Sequence, residues 1–277
     1  MKTILVPTDF SPIAENALVY AIELNKKLND EILIFHAYEV PLPITDIPVI
    51  TPDAEFQKAA VKSLKQLYDK HKANNPSMQF KIQTSMGSPS QEIVSMEIKS
   101  NCSMVVMGSY GDDVMHHLVA GKHVAPVLSK SNCPVVVVPR NLTFKHLNKI
   151  VYAINFGADD LENSMNVAAL ALKFNAEMII LHVITNEKGH RQQHVEVEKF
   201  KESVVEQSGY QKISYKLLEH NNVVEGINFY LDEINADMLI VNMRRRKLID
   251  RIFDRSLTRK ITYHASLPLM VMHTSLD

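Results

Sequence analysis

Short apolar runs alternate with longer amphipathic stretches along this chain. In the first half, β-branched runs at Thr3–Val6, Ile32–Ala37, Gln79–Thr84, Met104–Met107 and Pro134–Val138 predict strands. Ser11–Leu28, Asp53–Lys72, Ser90–Lys99 and Val114–Lys130 predict the helices between them, the last broken at Pro126. Strands apolar on both faces and separated by helices predict a parallel sheet covered on both sides, the α/β class. Ser11-Pro12 and Ser88-Pro89 each offer a capping hydroxyl followed by a proline at the first helical position, with Gly87 at the strand exit before the second. Asp53 can cap the helix beyond Pro52, and the proline-rich stretch Glu39–Pro52 predicts a long loop.

The second half repeats this pattern. At a spacing of 146 residues, Ile4-Leu5-Val6 falls on Ile150-Val151-Tyr152, and Asn29–Ala37 falls on Asn175–Val183. Later the spacing is 134: Met104–Met107 meets Met238–Val241, and Pro134 meets Pro268. The lost positions fall where the first half has its proline-rich loop. Such self-similarity predicts a duplicated domain, with residues 1–141 and 147–277 as the two copies and a linker near Arg140–Leu147.

Composition narrows the function classes. The 277 residues suffice for two domains of about 140 residues each, and the apolar share of 46% can fill two cores. A net charge of -1 argues against bulk electrostatic binding to nucleic acid or to an anionic membrane. Cys102 and Cys133 make no disulfide framework and fit a reducing compartment as small buried thiols. The apolar run Met1–Pro7 is too short for a signal-peptide core, and no stretch approaches the roughly 20 residues that span a bilayer. These readings predict a cytoplasmic protein without a membrane partner.

The chemical signal follows the strand Met104–Met107. Gly108, Gly111 and Gly121 form Gly-x2-Gly-x9-Gly, three of the eight glycines in the chain. Glycine permits positive φ and close backbone approach, and successive amides ahead of a helix start make an anion site. Together with Val6–Ser11 at the start and Pro134–Pro139 at the close, this loop resembles the universal stress protein family, once per half over essentially the whole chain. The resemblance implies two Rossmann-like domains of the adenine nucleotide alpha hydrolase type, each a five-stranded parallel sheet sandwiched by helices, arranged as a pseudo-dimer. It implies ATP or a related adenine nucleotide as ligand. Carried over, the binding roles fall on Pro7, Thr8, Asp9, Ala37, Met107, Gly108, Gly111, Gly121 and Val124. The family usually has Ser or Thr after its third glycine; here Lys122 and His123 follow, and Lys122 can pair with phosphate instead. Asp112 and Asp113 require a divalent cation such as Mg between themselves and a triphosphate.

The second half departs from this pattern. Asn155 stands in the place of Asp9, and Asn242, Arg245 and Arg255 replace the three glycines. Side chains there exclude the same binding mode, so this half reads as a degenerate partner domain.

Other candidates read as structural. Asp9 also suits a cap before Ser11-Pro12. The basic run Arg244–Lys247, continued by Arg251, Arg255, Arg259 and Lys260, is interleaved with Asp250 and Asp254 and reads as a solvated, paired surface. His116, His117, His123, His190 and His194 read as surface histidines, and His36 and His182 as equivalent structural positions. No nucleophile elbow, Walker loop or CxxC motif occurs, so the chain is expected not to be an enzyme. Two functions remain: a nucleotide-responsive regulatory module, and an interaction scaffold acting through its surface. The family resemblance implies pairing of last strands, here an intramolecular pairing of Val135–Val138 with Leu269–Met272; association of two chains into a homodimer stays open.

Overall fold

The computed structural model describes residues 1–39, 53–109, 123–157, 159–185, 190–243 and 267–273. The described residues up to Asn141 cluster as one compact unit and those from Leu142 as a second. Among the described residues, no helix is long and apolar enough to cross a membrane.

The first unit runs β1 (Thr3–Pro7), α1 (Pro12–Leu28), β2 (Glu31–Tyr38), α2 (Asp53–Asn74), β3 (Phe80–Met86), α3 (Pro89–Lys99), β4 (Cys102–Ser109), α4 (Val124–Lys130) and β5 (Val135–Pro139). Its strands lie in the order β3-β2-β1-β4-β5 and pair in parallel throughout. Ile4, Leu5, Val6, Val105, Val106, Val135 and Val136 are fully buried, as strands covered on both faces require. The chain builds outward from β1 to β3, then returns to place β4 on the other side of β1. The order therefore reverses between β1 and β4.

The second unit repeats this architecture. It runs β6 (Lys149–Ala153), α5 (Asp160–Phe174), β7 (Glu177–Ile184), α6 (His190–Ser208), β8 (Ile213–Glu219), α7 (Val223–Ile234), β9 (Met238–Met243) and β10 (Leu269–His273). Its order, β8-β7-β6-β9-β10, matches that of the first unit, again in parallel. The repeat extends to the backbone conformation. Phe10, Asn29 and Asn101 take the left-handed conformation at φ 64°, 60° and 51°, and their counterparts Phe156, Asn175 and Asn235 do so at 56°, 56° and 50°. Asparagine tolerates this region and ends α1 and α5 in that conformation.

The local signals resolve unequally. Ser11 caps α1, accepting from Ala14 N at 3.2 Å. Ser88 precedes α3 but its side chain makes no cap bond; its carbonyl accepts from Gln91 N and Glu92 N instead. Pro126 does not break its helix. It sits in the first turn of α4, where a missing N–H costs little. The helix α2 begins at Asp53, whose side chain lies outside the described residues, as does all of 40–52. Leu147, at the end of the expected linker, is buried.

Candidate functional site

The turn from β1 into α1 is built by short side chains bonding to nearby amides. Thr8 Oγ1 accepts from Phe10 N at 3.0 Å, and Asp9 Oδ1 accepts from Ser11 N at 3.0 Å. These two bonds hold Phe10 at its positive φ, a conformation a bulky residue adopts only when fixed from outside. The Thr8 amide donates to Phe35 O at 2.8 Å, tying the turn to β2. His36 Nδ1 meets Thr8 O at 2.7 Å, and the Phe10 and His36 rings lie 4.5 Å apart. His36 is therefore a brace for the turn, and His182 performs the same task on Ile154 O at 3.0 Å.

From β4, Gly108 meets the first turn of α1 at close range. A Cβ built at Gly108 would lie 2.6 Å from Ile13 Cγ2 and 2.7 Å from Ile13 O. Glycine lets the helix start seat directly on strand backbone.

Around this contact lies a cavity of about 350 Å³. It is lined by Pro7, Thr8 and Asp9 from the end of β1, Phe35 and Ala37 from β2, Met107 and Gly108 from β4, and His123 and Val124 at the start of α4. The α1 cap Ser11, Ile13 and Ala14 of α1, and Pro89 and Ile93 of α3 complete the wall. The cavity opens at the carboxyl ends of β1, β2 and β4, where the strand order reverses, the usual place for a ligand in an open parallel sheet.

The structure thus brings together Pro7, Thr8, Asp9, Ala37, Met107, Gly108, His123 and Val124 of the sequence-predicted set. Gly111, Gly121 and Lys122 lie outside the described residues, as do Asp112, Asp113, His116, His117 and the basic run from Arg244. Ser11, Ile13, Ala14, Phe35, Pro89 and Ile93 line the cavity outside the sequence-predicted set. One signal could have found most of them: the first turn of a helix that follows a strand lies at the same sheet edge as that strand's end. His194 is exposed on α6, and the side chain of His190 lies outside the described residues. Among the described residues, no three metal-ligating side chains converge.

The equivalent position in the second unit is filled by side chains. Asn242 replaces Gly108, and its Nδ2 donates to Tyr152 Oη at 2.5 Å and to Asp160 Oδ1. Asn242 Oδ1 accepts from Asn163 Nδ2 at 3.0 Å. Asp160 Oδ2 accepts from Gly157 N at 2.6 Å and Asn155 N at 3.3 Å, so the carboxylate of α5 holds the β6–α5 turn. Asp160, Asn163 and Ser164 are all buried. Burial, and then the Asp160 charge, push the Tyr152 hydroxyl well above the usual tyrosine range, keeping it a neutral donor and acceptor.

Comparison with known proteins bears on this geometry. The model of the universal stress protein family matches residues 1–139 and again 146–273. The chain belongs to that family. A universal stress protein of Methanocaldococcus jannaschii is 26% identical over 141 residues, 50% of this chain and 82% of that protein. A second from the same organism is 26% identical over 154 residues, 50% of this chain and 95% of that protein. The crystal structure of a universal stress protein from Archaeoglobus fulgidus DSM 4304 superposes with a TM-score of 0.78 at 21% identity, covering 99% of this chain and 98% of that one. The family fold, with its Rossmann-like strand order, is therefore present in each half.

Proposed function

We propose that this chain is a stress-regulatory protein that binds ATP or a related adenine nucleotide in its first unit. The cavity at the strand-order reversal carries the reading. Its volume of about 350 Å³ falls within the range of small-molecule sites. Ile13, Ala37, Met107 and Ile93 offer apolar surface to the flat faces of a purine, while Asp9, Ser11 and His123 offer polar atoms at its edge. In this reading Gly111, Gly121 and Lys122 take the phosphates, with a magnesium ion between them and Asp112 and Asp113. The chain is proposed to act by binding, without a chemical step, and to work in the cytoplasm.

We propose further that the second unit does not bind the nucleotide. The Tyr152–Asn242–Asp160 network supports this, because a ligand approaching strand backbone at position 242 would have to break the partly buried bonds of Asn242 to the Tyr152 hydroxyl and the Asp160 carboxylate. Pairing of the halves through their last strands is proposed from the family resemblance, and cross-linking of cysteines introduced at Val136 and Met270 tests it.

The ligand reading is tested by thermal shift of the purified full chain with ATP and magnesium. A stabilised wild type and an unresponsive Ala37→Phe variant, whose ring fills the cavity, are expected. No shift in the wild type overturns nucleotide binding and leaves the surface-scaffold function.

A further inference from the structure

Cys102 opens β4 and Cys133 ends the turn that leads into β5. Their sulfurs lie 3.5 Å apart, with the Cys133 thiol directed at Cys102 Sγ. β4 and β5 are adjacent parallel strands, joined at this end by Val105 N donating to Pro134 O at 2.9 Å. Both residues lie just ahead of the paired run that begins at Val105 and Val135, and a bridge requires the 3.5 Å between the sulfurs to close to the roughly 2.05 Å of a disulfide bond. Both residues are of intermediate exposure, in contrast to the buried thiols the sequence suggested.

The turn that presents Cys133 is held rigidly. The buried carboxylate of Glu97 accepts from Asn132 N at 2.6 Å and Cys133 N at 2.8 Å through Oε1, and from Ser131 Oγ at 2.6 Å through Oε2. The contact with Cys102, then burial, hold the Cys133 thiol well above the ordinary range, so it stays protonated in the reduced pair and gives up its proton only in the closing step, to the departing hydroxide.

We propose that Cys102 and Cys133 are a redox-modification site, joined by hydrogen peroxide into a reversible intrachain disulfide. The Cys102 sulfur attacks a peroxide oxygen: an S–O bond forms, the O–O bond breaks, and the departing hydroxide takes the Cys102 thiol proton as water. The Cys133 sulfur then attacks Cys102 Sγ. An S–S bond forms, the S–O bond breaks, and hydroxide leaves with the Cys133 proton as a second water. Two thiols lose two electrons and one peroxide becomes two waters. The bridge closes a covalent ring over residues 102–133, which includes Met107, Gly108, His123 and Val124 of the cavity wall. Oxidation therefore ties together both ends of the glycine-bearing segment, whatever ligand the cavity takes.

Non-reducing peptide mapping of the peroxide-treated full chain tests the proposal. The expected result is a Cys102–Cys133 linked peptide in monomeric protein, both thiols lost together, an intact mass lower by two hydrogens, and full reversal by dithiothreitol. Cys102→Ser and Cys133→Ser should each abolish the link; the wild-type map stands without them if either fails to fold. Survival of both thiols, separate conversion to sulfinic acids with no linked peptide, or links only between chains would overturn it. The map needs no nucleotide, so its failure is distinct from failure of the ligand reading.

Discussion

A methyl group at position 108 would meet a backbone atom that cannot turn aside, since the Ile13 carbonyl oxygen lies 2.7 Å from the place of its carbon. Gly108→Ala should therefore push α1 off β4 and cost about 1–3 kcal/mol, as overpacking of a tight contact does; urea unfolding measures it. His71 shows a second single-residue effect. It is buried on α2 with Nε2 3.2 Å from Glu15 Oε1, and burial lowers its pKa from 6.5 despite that carboxylate. A depressed folded pKa means that the unfolded chain binds the proton more readily. The associated stability is present above pH 6.5 and is lost as pH falls through the folded pKa. Thermal midpoints measured between about pH 7.5 and 5.5 should fall more steeply for wild type than for His71→Asn.

The two strand–helix turns show how one fold element is held by different chemistry. In β1–α1 the bonds come from the turn itself, through Thr8 and Asp9. In β6–α5 position 154 is isoleucine, and the helix supplies Asp160 instead. Asp160→Ala would strand Gly157 N and Asn155 N and leave Asn242 Nδ2 with Tyr152 Oη alone, at a cost of about 3 kcal/mol. Denaturant titration should show that loss. The strands, α1 and the duplication were legible because periodicity, capping serine and glycine act within a few residues. The Asn242 network was not, because it joins residues 79 to 90 positions apart. Sequence could show that a side chain replaced Gly108, but not that Tyr152 and Asp160 would receive it. Pro126 misled for a related reason. Its effect depends on which turn of α4 it occupies, and the helix starts only at Val124.

At the scale of the whole molecule, duplication leaves two copies of one sheet order with unlike carboxyl ends. The first copy keeps a cavity where the strand order reverses; the second places a hydrogen-bonded Asn242 at the position of Gly108. An asymmetric pair is therefore expected, one unit answering to nucleotide and the other serving the fold. Isothermal titration of the full chain with ATP and magnesium tests this most directly. The predicted result is one equivalent bound per chain, lost in Ala37→Phe and unchanged in Asn242→Asp; two equivalents per chain, or binding that survives Ala37→Phe, would contradict it.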